Sequence, residues 1–360
     1  MKVAVLWTRL SGHLNACLKA LVASGAEIWV AYETSKKDAP FESAAFSWLG
    51  NPYRYETTPE GSEVLSHLNR FRPEVVLVSS WHIAGYRHAL RHYDGICLKV
   101  LCMDNQWIGT LKQFAGVAMA HWYIRPHYDI AFLPGERQAI FARKLGFSEA
   151  NIWRGLLSCD HESFIASRKQ AGGRSRSFTF VGRLCKEKGV DTLINAYQRY
   201  RNSVSDPWAL ILFGEGPLKA SCAGPGVQIE GFCQPRDLPR RLAEMGCFVL
   251  PSRYEPWGVA IHEAASAGLP IICSRVCGAS VHLVMDGYNG FIVSPDSPEE
   301  LAQTMRRVHC MTSAEHQVMS DNSVQTSYQF TPGRWAQTVL KRSKEALEQV
   351  SMSSRTPRTK

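Results

Sequence analysis

The chain has no run of about 18 uncharged apolar residues, so nothing in it reads as a membrane-spanning helix. It has no C-x-x-C pair, and its 11 cysteines form an odd set. Several of them, such as Cys102, Cys247 and Cys273, lie in apolar runs suited to buried strands, which favours reduced core thiols over zinc ligands or a disulfide framework. No Asp-x-Asp pair, no recognisable nucleic-acid motif and no internal repeat of solenoid length is present. The amino terminus, Met1-Lys-Val-Ala-Val-Leu-Trp7, meets polar Thr8-Arg9 and lacks the apolar core and cleavage site of a signal peptide. The expectation is a cytoplasmic protein.

What is present describes a soluble globular protein, with 45% hydrophobic and 20% charged residues. At 360 residues the chain is too long for one ordinary core, and two domains of roughly 150 to 170 residues are expected. The formal net charge is +9, with basic residues partly concentrated at Arg168 to Arg176, Arg236 to Arg241 and the tail Arg355 to Lys360. Such a protein attracts polyanions: nucleotides, anionic lipid or nucleic acid, the last without a motif to support it. Peripheral contact with an anionic membrane at its inner face stays open.

Val3 to Trp7, Ala26 to Tyr32, Glu74 to Val78, Leu98 to Cys102 and Asp129 to Leu133 read as strands with helical stretches between several of them. Alternation of this kind gives an α/β fold with a mostly parallel sheet. The polar segment Arg168-Lys-Gln-Ala-Gly-Gly-Arg-Ser-Arg-Ser177 reads as a linker. A second series follows: Phe178 to Gly182, Ala209 to Phe213, Val227 to Glu230, Cys247 to Leu250, Pro270 to Cys273 and Phe291 to Val293. The expected organisation is therefore two Rossmann-like doubly wound domains facing across a cleft, 1–167 and 178–330, joined by linker 168–177. A helix over 331–350 begins near Pro332, and the basic tail 351–360 is expected to be disordered.

The most informative stretch is Pro251-Ser-Arg-Tyr-Glu-Pro-Trp-Gly-Val-Ala-Ile-His-Glu263 and the residues after it to Pro270. It sets two carboxylates, Glu255 and Glu263, around the start of a helix between two short apolar strands. Pro256 and Gly258 suit a helix start, where unpaired N–H groups and the positive dipole end can hold an anion. Glu255 sits just before that start and Glu263 about one and a half turns inside it, roughly 7 Å along the axis at about 1.5 Å per residue. One carboxylate could hold a sugar and the other a ribose on either side of a diphosphate. Taken singly, each glutamate also fits the plain role of complementing the helix dipole.

This segment resembles the signature of the retaining glycosyltransferases of family 4, which have the GT-B fold. Glu255 and Glu263 match that family's two glutamates, with Pro256, Trp257 and Gly258 between them. Phe178-Thr-Phe-Val-Gly-Arg183-Leu-Cys-Lys-Glu-Lys188-Gly resembles the strand and loop whose Arg and Lys clamp the donor diphosphate. Further matches are Phe213-Gly-Glu-Gly-Pro217, Gly231-Phe-Cys beside Leu238, Asp286-Gly-Tyr-Asn-Gly290-Phe and Trp335 in the last helix. The resemblance implies that the final helix crosses back to the N-terminal domain. It also makes Glu255, Arg183, Lys188 and His82 catalytic candidates, and Glu263, Trp257, Gly258, Gly12, Gly214 and Phe232 donor-binding candidates.

The N-terminal half matches less closely. Thr8-Arg9-Leu-Ser11-Gly12-His13 stands where the family has a Gly-rich loop, with one glycine only. His82, after the third strand run, resembles the family's histidine in the cleft, and a satisfied surface histidine is the competing reading. Asp104 is a weaker candidate at another strand end. Asp160 and Phe164 match the Asp and Phe that close the family's first domain, without the usual preceding Asn-Gly. Cys277-Gly278-Ala-Ser280 offers another phosphate-binding turn, with His282 near the place of the family's acid. Trp107 to Pro126, rich in aromatics with flanking bases, reads as an ordinary core helix in preference to a lipid-facing surface.

The resemblance implies a retaining transferase that moves a sugar from a nucleoside-diphosphate sugar to a glycan, lipid-linked or small-molecule acceptor, in polysaccharide or glycoconjugate assembly. No cofactor and no metal is expected, because positive side chains and a helix dipole could serve in place of a divalent ion. A sugar-nucleotide epimerase and a non-catalytic nucleotide-sugar-binding or scaffold subunit are the alternatives.

Overall fold

A computed structural model describes residues 1–34, 43–93, 95 and 97–355. The chain divides into two compact units, the first made of Met1–Ser158 with Pro332–Lys360 and the second of Cys159–Thr331.

The first unit runs β1 (Lys2–Arg9), α1 (Gly12–Ala23), β2 (Glu27–Glu33), β3 (Tyr53–Tyr55), α2 (Gly61–Phe71), β4 (Val75–Val78), α3 (Ala84–His92), β5 (Leu98–Cys102), α4 (Leu111–Tyr123), β6 (Ile130–Leu133), α5 (Glu136–Lys144) and β7 (Ile152–Arg154). The strands form one parallel sheet in the order β3-β2-β1-β4-β5-β6-β7. Strand runs such as Val75-Val-Leu-Val78 are buried on both faces, as helices above and below a parallel sheet require. The order reverses beside β1, so the carboxyl ends of β1 and β4 form a topological switch point. Thr8 N–H donates to Ser79 Oγ at 2.9 Å across that point. The buried Tyr86 hydroxyl donates to the Trp7 carbonyl at 2.8 Å and fixes the end of β1.

The second unit runs α6 (His161–Gln170), β8 (Ser177–Val181), α7 (Val190–Arg201), β9 (Ala209–Phe213), β10 (Val227–Gly231), α8 (Leu238–Ala243), β11 (Cys247–Leu250), α9 (Val259–Ser266), β12 (Ile271–Ser274), α10 (Ser280–Leu283), β13 (Gly290–Val293), α11 (Pro298–His309) and α12 (Ser313–Ser327). Its sheet is also parallel, in the order β10-β9-β8-β11-β12-β13, with the reversal at β8 and β11. The last helix, α13 (Pro332–Arg355), packs on α1 of the first unit, and Trp335 lies 6.1 Å from Phe132 between ring centroids. It runs beyond the expected end at 350, and 356–360 of the expected disordered tail lie outside the described residues.

The units change over between Ser158 and Cys159, whereas the sequence placed the change at 167 with a linker over 168–177. The cause is a set of long-range bonds within the second unit. Cys159 N–H donates to His262 Nδ1 at 3.0 Å, and His262 Nε2 donates to the Ser327 carbonyl at 3.0 Å. Burial lowers the pKa of His262 to about 3, which keeps the ring neutral for both bonds. Arg168 pairs with Asp321, Arg174 donates to the carbonyls of Met245 at 3.2 Å and Ala267 at 2.8 Å, and Ser175 N–H donates to the Glu244 carbonyl at 2.7 Å. The polar segment is thus strapped to the second unit.

Two further expectations change. Strands β3 and β7, three residues each, extend the first sheet at both edges and are too short to show periodicity in the sequence. Helix α4 is not a core helix: Ala120 is its one buried residue, and Leu111, Phe114, Met119 and Trp122 are exposed. The 11 cysteines are free, and eight of them are buried.

Candidate active site

The switch point of the second sheet gathers the charged candidates. The loop after β8 carries Arg183 and Lys188, and the loop after β11 carries Glu255, Trp257 and Gly258 and leads into α9. Ligands of open parallel sheets bind at such a place because the two loops part there in opposite directions. Here the loops are also fastened to each other. Arg253 N–H donates to the Glu187 carbonyl at 2.8 Å and Tyr254 N–H donates to the same oxygen at 3.2 Å.

The fastening is completed by the Arg253 side chain, a residue the sequence reading did not single out. Its guanidinium donates to the Lys186 carbonyl at 2.6 Å, to both Asp191 oxygens at 2.6 and 3.0 Å and to Thr192 Oγ1 at 3.1 Å, and it also pairs with Asp296. The guanidinium holds the Asp191 carboxyl below its ordinary pKa. Asp296 sits at a φ of +56°, which a non-glycine residue adopts readily only where its surroundings enforce it. Arg253 ties the β11 loop to the β8 loop that carries Lys188. Its partners are 43 to 67 residues away in sequence, so no local pattern could have shown it.

Lys188 Nζ bonds Glu255 Oε2, and both side chains are largely buried. Arg183 is exposed and makes no salt bridge among the described residues, and its charge is one of the causes that hold the Glu187 carboxyl below its ordinary pKa, after backbone and side-chain hydrogen bonds. Glu263 is partly buried on α9, and its carboxylate makes no hydrogen bond or ion pair among the described residues. Gly258 caps α9 at a φ of +95°, and a Cβ there would stand 3.1 Å from Glu255 Cγ. Any side chain at 258 would therefore strain the backbone and press on that glutamate. The first N–H groups of α9 have no partners within the helix, and its positive end lies next to Glu255.

Burial pushes the Glu263 carboxyl up to about 7. The folded protein then holds this proton more tightly than the unfolded chain does, whose value is near the ordinary 4.5. The sign follows: this group's contribution to stability is full below pH 4.5 and is lost as pH rises to about 7. Glu263→Gln should remove that decline. Thermal melts of both proteins across the window check it, and parallel pH profiles would show that Glu263 is solvated in the folded state.

The other candidates divide. Gly214 lies where the β9 loop passes the β8 loop: it has a φ of +153°, its N–H donates to the Gly231 carbonyl at 2.7 Å, and a Cβ there would fall 1.8 Å from the Gly182 carbonyl oxygen. Only glycine permits that approach. Phe232 follows β10 and is partly buried. The Trp257 ring does not line the site. It is 2% exposed and packs 5.2 Å from Phe330 and 5.7 Å from His282. What Trp257 leaves toward the loop is backbone alone, and its carbonyl already accepts from Ala279 N–H at 2.8 Å.

The turn Cys277 to Ser280 is not a phosphate cradle. Its Gly278 N–H donates to the Glu255 carbonyl at 3.1 Å, and the Ser280 N–H to the Cys277 carbonyl at 3.2 Å. The segment from Asp286 to Gly290 is likewise engaged in the fold, with buried Asn289 Nδ2 donating to the Leu283 carbonyl at 2.8 Å. Asp160 precedes α6 and accepts from Ser163 Oγ at 2.8 Å, while Phe164 is buried.

In the first unit Gly12, His82 and Asp104 follow β1, β4 and β5, neighbouring strands, and so share one sheet edge. Gly12 is the first residue of α1 behind the Ser11 cap, an ordinary helix start. His82 is exposed, with its ring 4.9 Å from that of Trp81. Desolvation, then Lys112 and Arg87, hold its pKa below the usual value, so the imidazole is neutral near pH 7.

Similarity to known proteins follows the same division. Residues 175–310 match the family model described as glycosyl transferases group 1. An uncharacterized glycosyltransferase of Methanocaldococcus jannaschii is 29% identical over 46% of this chain and 44% of its own length. A GDP-mannose-dependent alpha-mannosyltransferase of Corynebacterium glutamicum is 32% identical over 64% of this chain and 57% of its own. The chain thus spans roughly half the length of these curated relatives. Among solved structures, HepE of Anabaena in complex with UDP and glucose superimposes with a TM-score of 0.71 at 16% identity, covering 96% of this chain and 99% of that one. The loops that carry Arg183, Lys188, Glu255 and Glu263 all fall within the residues that match the group 1 glycosyltransferase model, and the fold is GT-B, built of two Rossmann-like units.

Proposed function

We propose that the protein transfers a sugar from a nucleoside-diphosphate sugar to an acceptor hydroxyl with retention of anomeric configuration. The observation that carries the reading is the charge arrangement at the β8 and β11 loops. Arg183 and Lys188 lie on the β8 loop, Lys188 is held on Glu255 before α9, and an unpartnered Glu263 stands on α9. A desolvated carboxyl with no partner, next to a largely buried Lys–Glu pair, costs stability that a ligand with matching groups would offset. A nucleoside-diphosphate sugar has those groups: phosphates for the cations and the helix start, and hydroxyls for the carboxylates. That UDP and glucose are bound by HepE, and that the Corynebacterium relative is GDP-mannose-dependent, supports the donor class.

In this reading Arg183, Lys188 and the α9 start bind the diphosphate, Glu263 holds the ribose and Glu255 the sugar. Phe232 and the backbone at Gly214 border the base. The anomeric carbon–oxygen bond breaks with its electron pair going to the diphosphate, where the two cations stabilise the developing charge. The acceptor oxygen bonds the anomeric carbon from the face the phosphate has left, and its proton passes to the departing diphosphate. The two cations and the helix dipole supply the positive charge a divalent ion would bring, so we assign the reaction no metal. The acceptor is assigned to the first unit, with Gly12 and His82 at its sheet edge. The relatives' names point to polysaccharide or glycoconjugate assembly as the setting, among them a putative teichuronic acid biosynthesis glycosyltransferase of Bacillus subtilis.

The test is thermal stabilisation by a panel of nucleoside diphosphates, with the wild type and Glu263→Ala in parallel. A ligand that binds only the folded state raises the melting point, so one nucleotide should stabilise selectively and do so less in the variant. No shift with any nucleotide in a folded sample would refute the donor site. Turnover of the matching donor without any acceptor would favour an epimerase, and the anomeric configuration of a transfer product decides retention.

A further inference from the structure

Six of the 13 large apolar side chains exposed among the described residues fall between 108 and 123: Ile108, Leu111, Phe114, Met119, Trp122 and Tyr123. Leu111 is 88% exposed and Trp122 74%. On α4, Leu111, Phe114, Ala115, Ala118 and Trp122 recur at i, i+3, i+4, i+7 and i+11, so they form one outward stripe. This apolar stripe points to solvent, while Gly116, Val117 and Ala120 lie on the less exposed side. The surface is also ordered. Thr110 Oγ1 accepts from Gln113 N–H at 3.3 Å, and Gln113 Oε1 accepts from the N–H groups of Ile108 at 2.9 Å and Gly109 at 3.0 Å, which folds the preceding loop onto the helix.

The charge within this stretch has one sign. Residues 105–128 contain no Asp or Glu. Lys112 and Arg125 lie within that stretch, and three neighbours lean on its rings. Arg87 stacks 4.8 Å from the Tyr123 ring, Lys144 stands 4.6 Å from the Trp107 ring, and Arg91 reaches His127 Nε2 at 3.4 Å. None of these five cations has an acidic partner among the described residues.

We propose that α4 and the loop before it dock on an anionic lipid bilayer, with Leu111, Phe114 and Trp122 in the headgroup and acyl boundary and the cations on lipid phosphates. Trp and Tyr suit that boundary because each has an apolar body and a polar handle. An in-plane helix gains from its buried apolar area and from attraction to acidic lipid together. Each cation near such a surface strengthens binding about fivefold. A second copy of the chain is disfavoured as the occupant, because a two-fold contact through this face would set the two groups of cations against each other. The inference does not rest on the sugar-transfer reading.

The test is co-sedimentation of the full chain with vesicles of phosphatidylcholine alone and of phosphatidylcholine with phosphatidylglycerol. Binding is expected to the phosphatidylglycerol vesicles and to weaken with added salt. The double change Phe114→Glu with Trp122→Glu should reduce it about tenfold or more, Lys112→Glu should reduce it about fivefold or more, and Val318→Glu, on an exposed apolar residue of α12, should leave it unchanged. All these side chains are exposed, so circular dichroism should show each variant folded. Wild-type protein that stays in solution with both vesicles overturns the proposal, as does a double variant that binds like the wild type. A dimer in sedimentation velocity that Phe114→Glu splits, without vesicle binding, would assign the face to self-association instead.

Discussion

Glu255→Gln should bind a nucleoside diphosphate severalfold more tightly than the wild type and yet turn over about 10²–10³ times more slowly. The reason lies in the bond between Lys188 and Glu255 in the ligand-free protein. A diphosphate that claims Lys188 competes with the carboxylate for the ammonium and meets that carboxylate's negative charge. The amide removes both penalties, so binding tightens. On the proposed reading, turnover falls because the carboxylate assigned to the sugar is gone. Lys188→Met is the counterpart. It leaves a largely buried carboxylate facing the diphosphate with no cation beside it, and should weaken binding about 10–100-fold while also slowing transfer. Calorimetric titration with the nucleotide and single-turnover rates separate the two. If both variants lose nucleotide affinity equally, the pair is a structural brace and the donor assignment of Lys188 fails.

Trp257→Ala should cost about 3–5 kcal/mol of stability, the range for emptying a fully buried aromatic site. The ring fills the space between the site loop, His282 and Phe330, and its removal leaves the start of α9 without support. Its Nε1–H is buried and has no acceptor among the described residues. Trp257→Phe keeps much of the packing and deletes that orphan donor, so its cost should be far smaller. Urea unfolding, followed in the transition that bound nucleotide shifts, distinguishes them. Equal losses would mean that the indole nitrogen has a partner and that ring volume is not what holds the loop.

These effects show what local pattern conveys and what it does not. The loops after β8 and β11 were legible because each follows a short apolar run with chemistry-bearing residues at fixed offsets. The reading of Glu255, Glu263, Arg183 and Lys188 as neighbours at one sheet edge needed only strand order. Trp257 was misjudged because a tryptophan beside a site looks the same in sequence whether its ring faces ligand or core. Arg253 was invisible because its role is made by Asp191, Asp296 and a loop carbonyl far along the chain. The unit boundary escaped for a similar reason, since His262 fixes Cys159 across 103 residues. Helix α4 was read from its aromatic richness, and composition alone does not say whether those side chains turn inward.

The first unit is built from two stretches of chain separated by the whole of the second, and this sets an order of events during synthesis. Residues 1–158 leave the ribosome first but lack the helix that covers α1 until 332–355 have followed. The continuous second unit can close on itself while its predecessor is still waiting, so the half begun first is finished last. A chain released early, anywhere within α13, would therefore retain a complete second unit and a first unit with an open apolar face. Such a product would be a substrate for chaperones and proteases before it could be an enzyme.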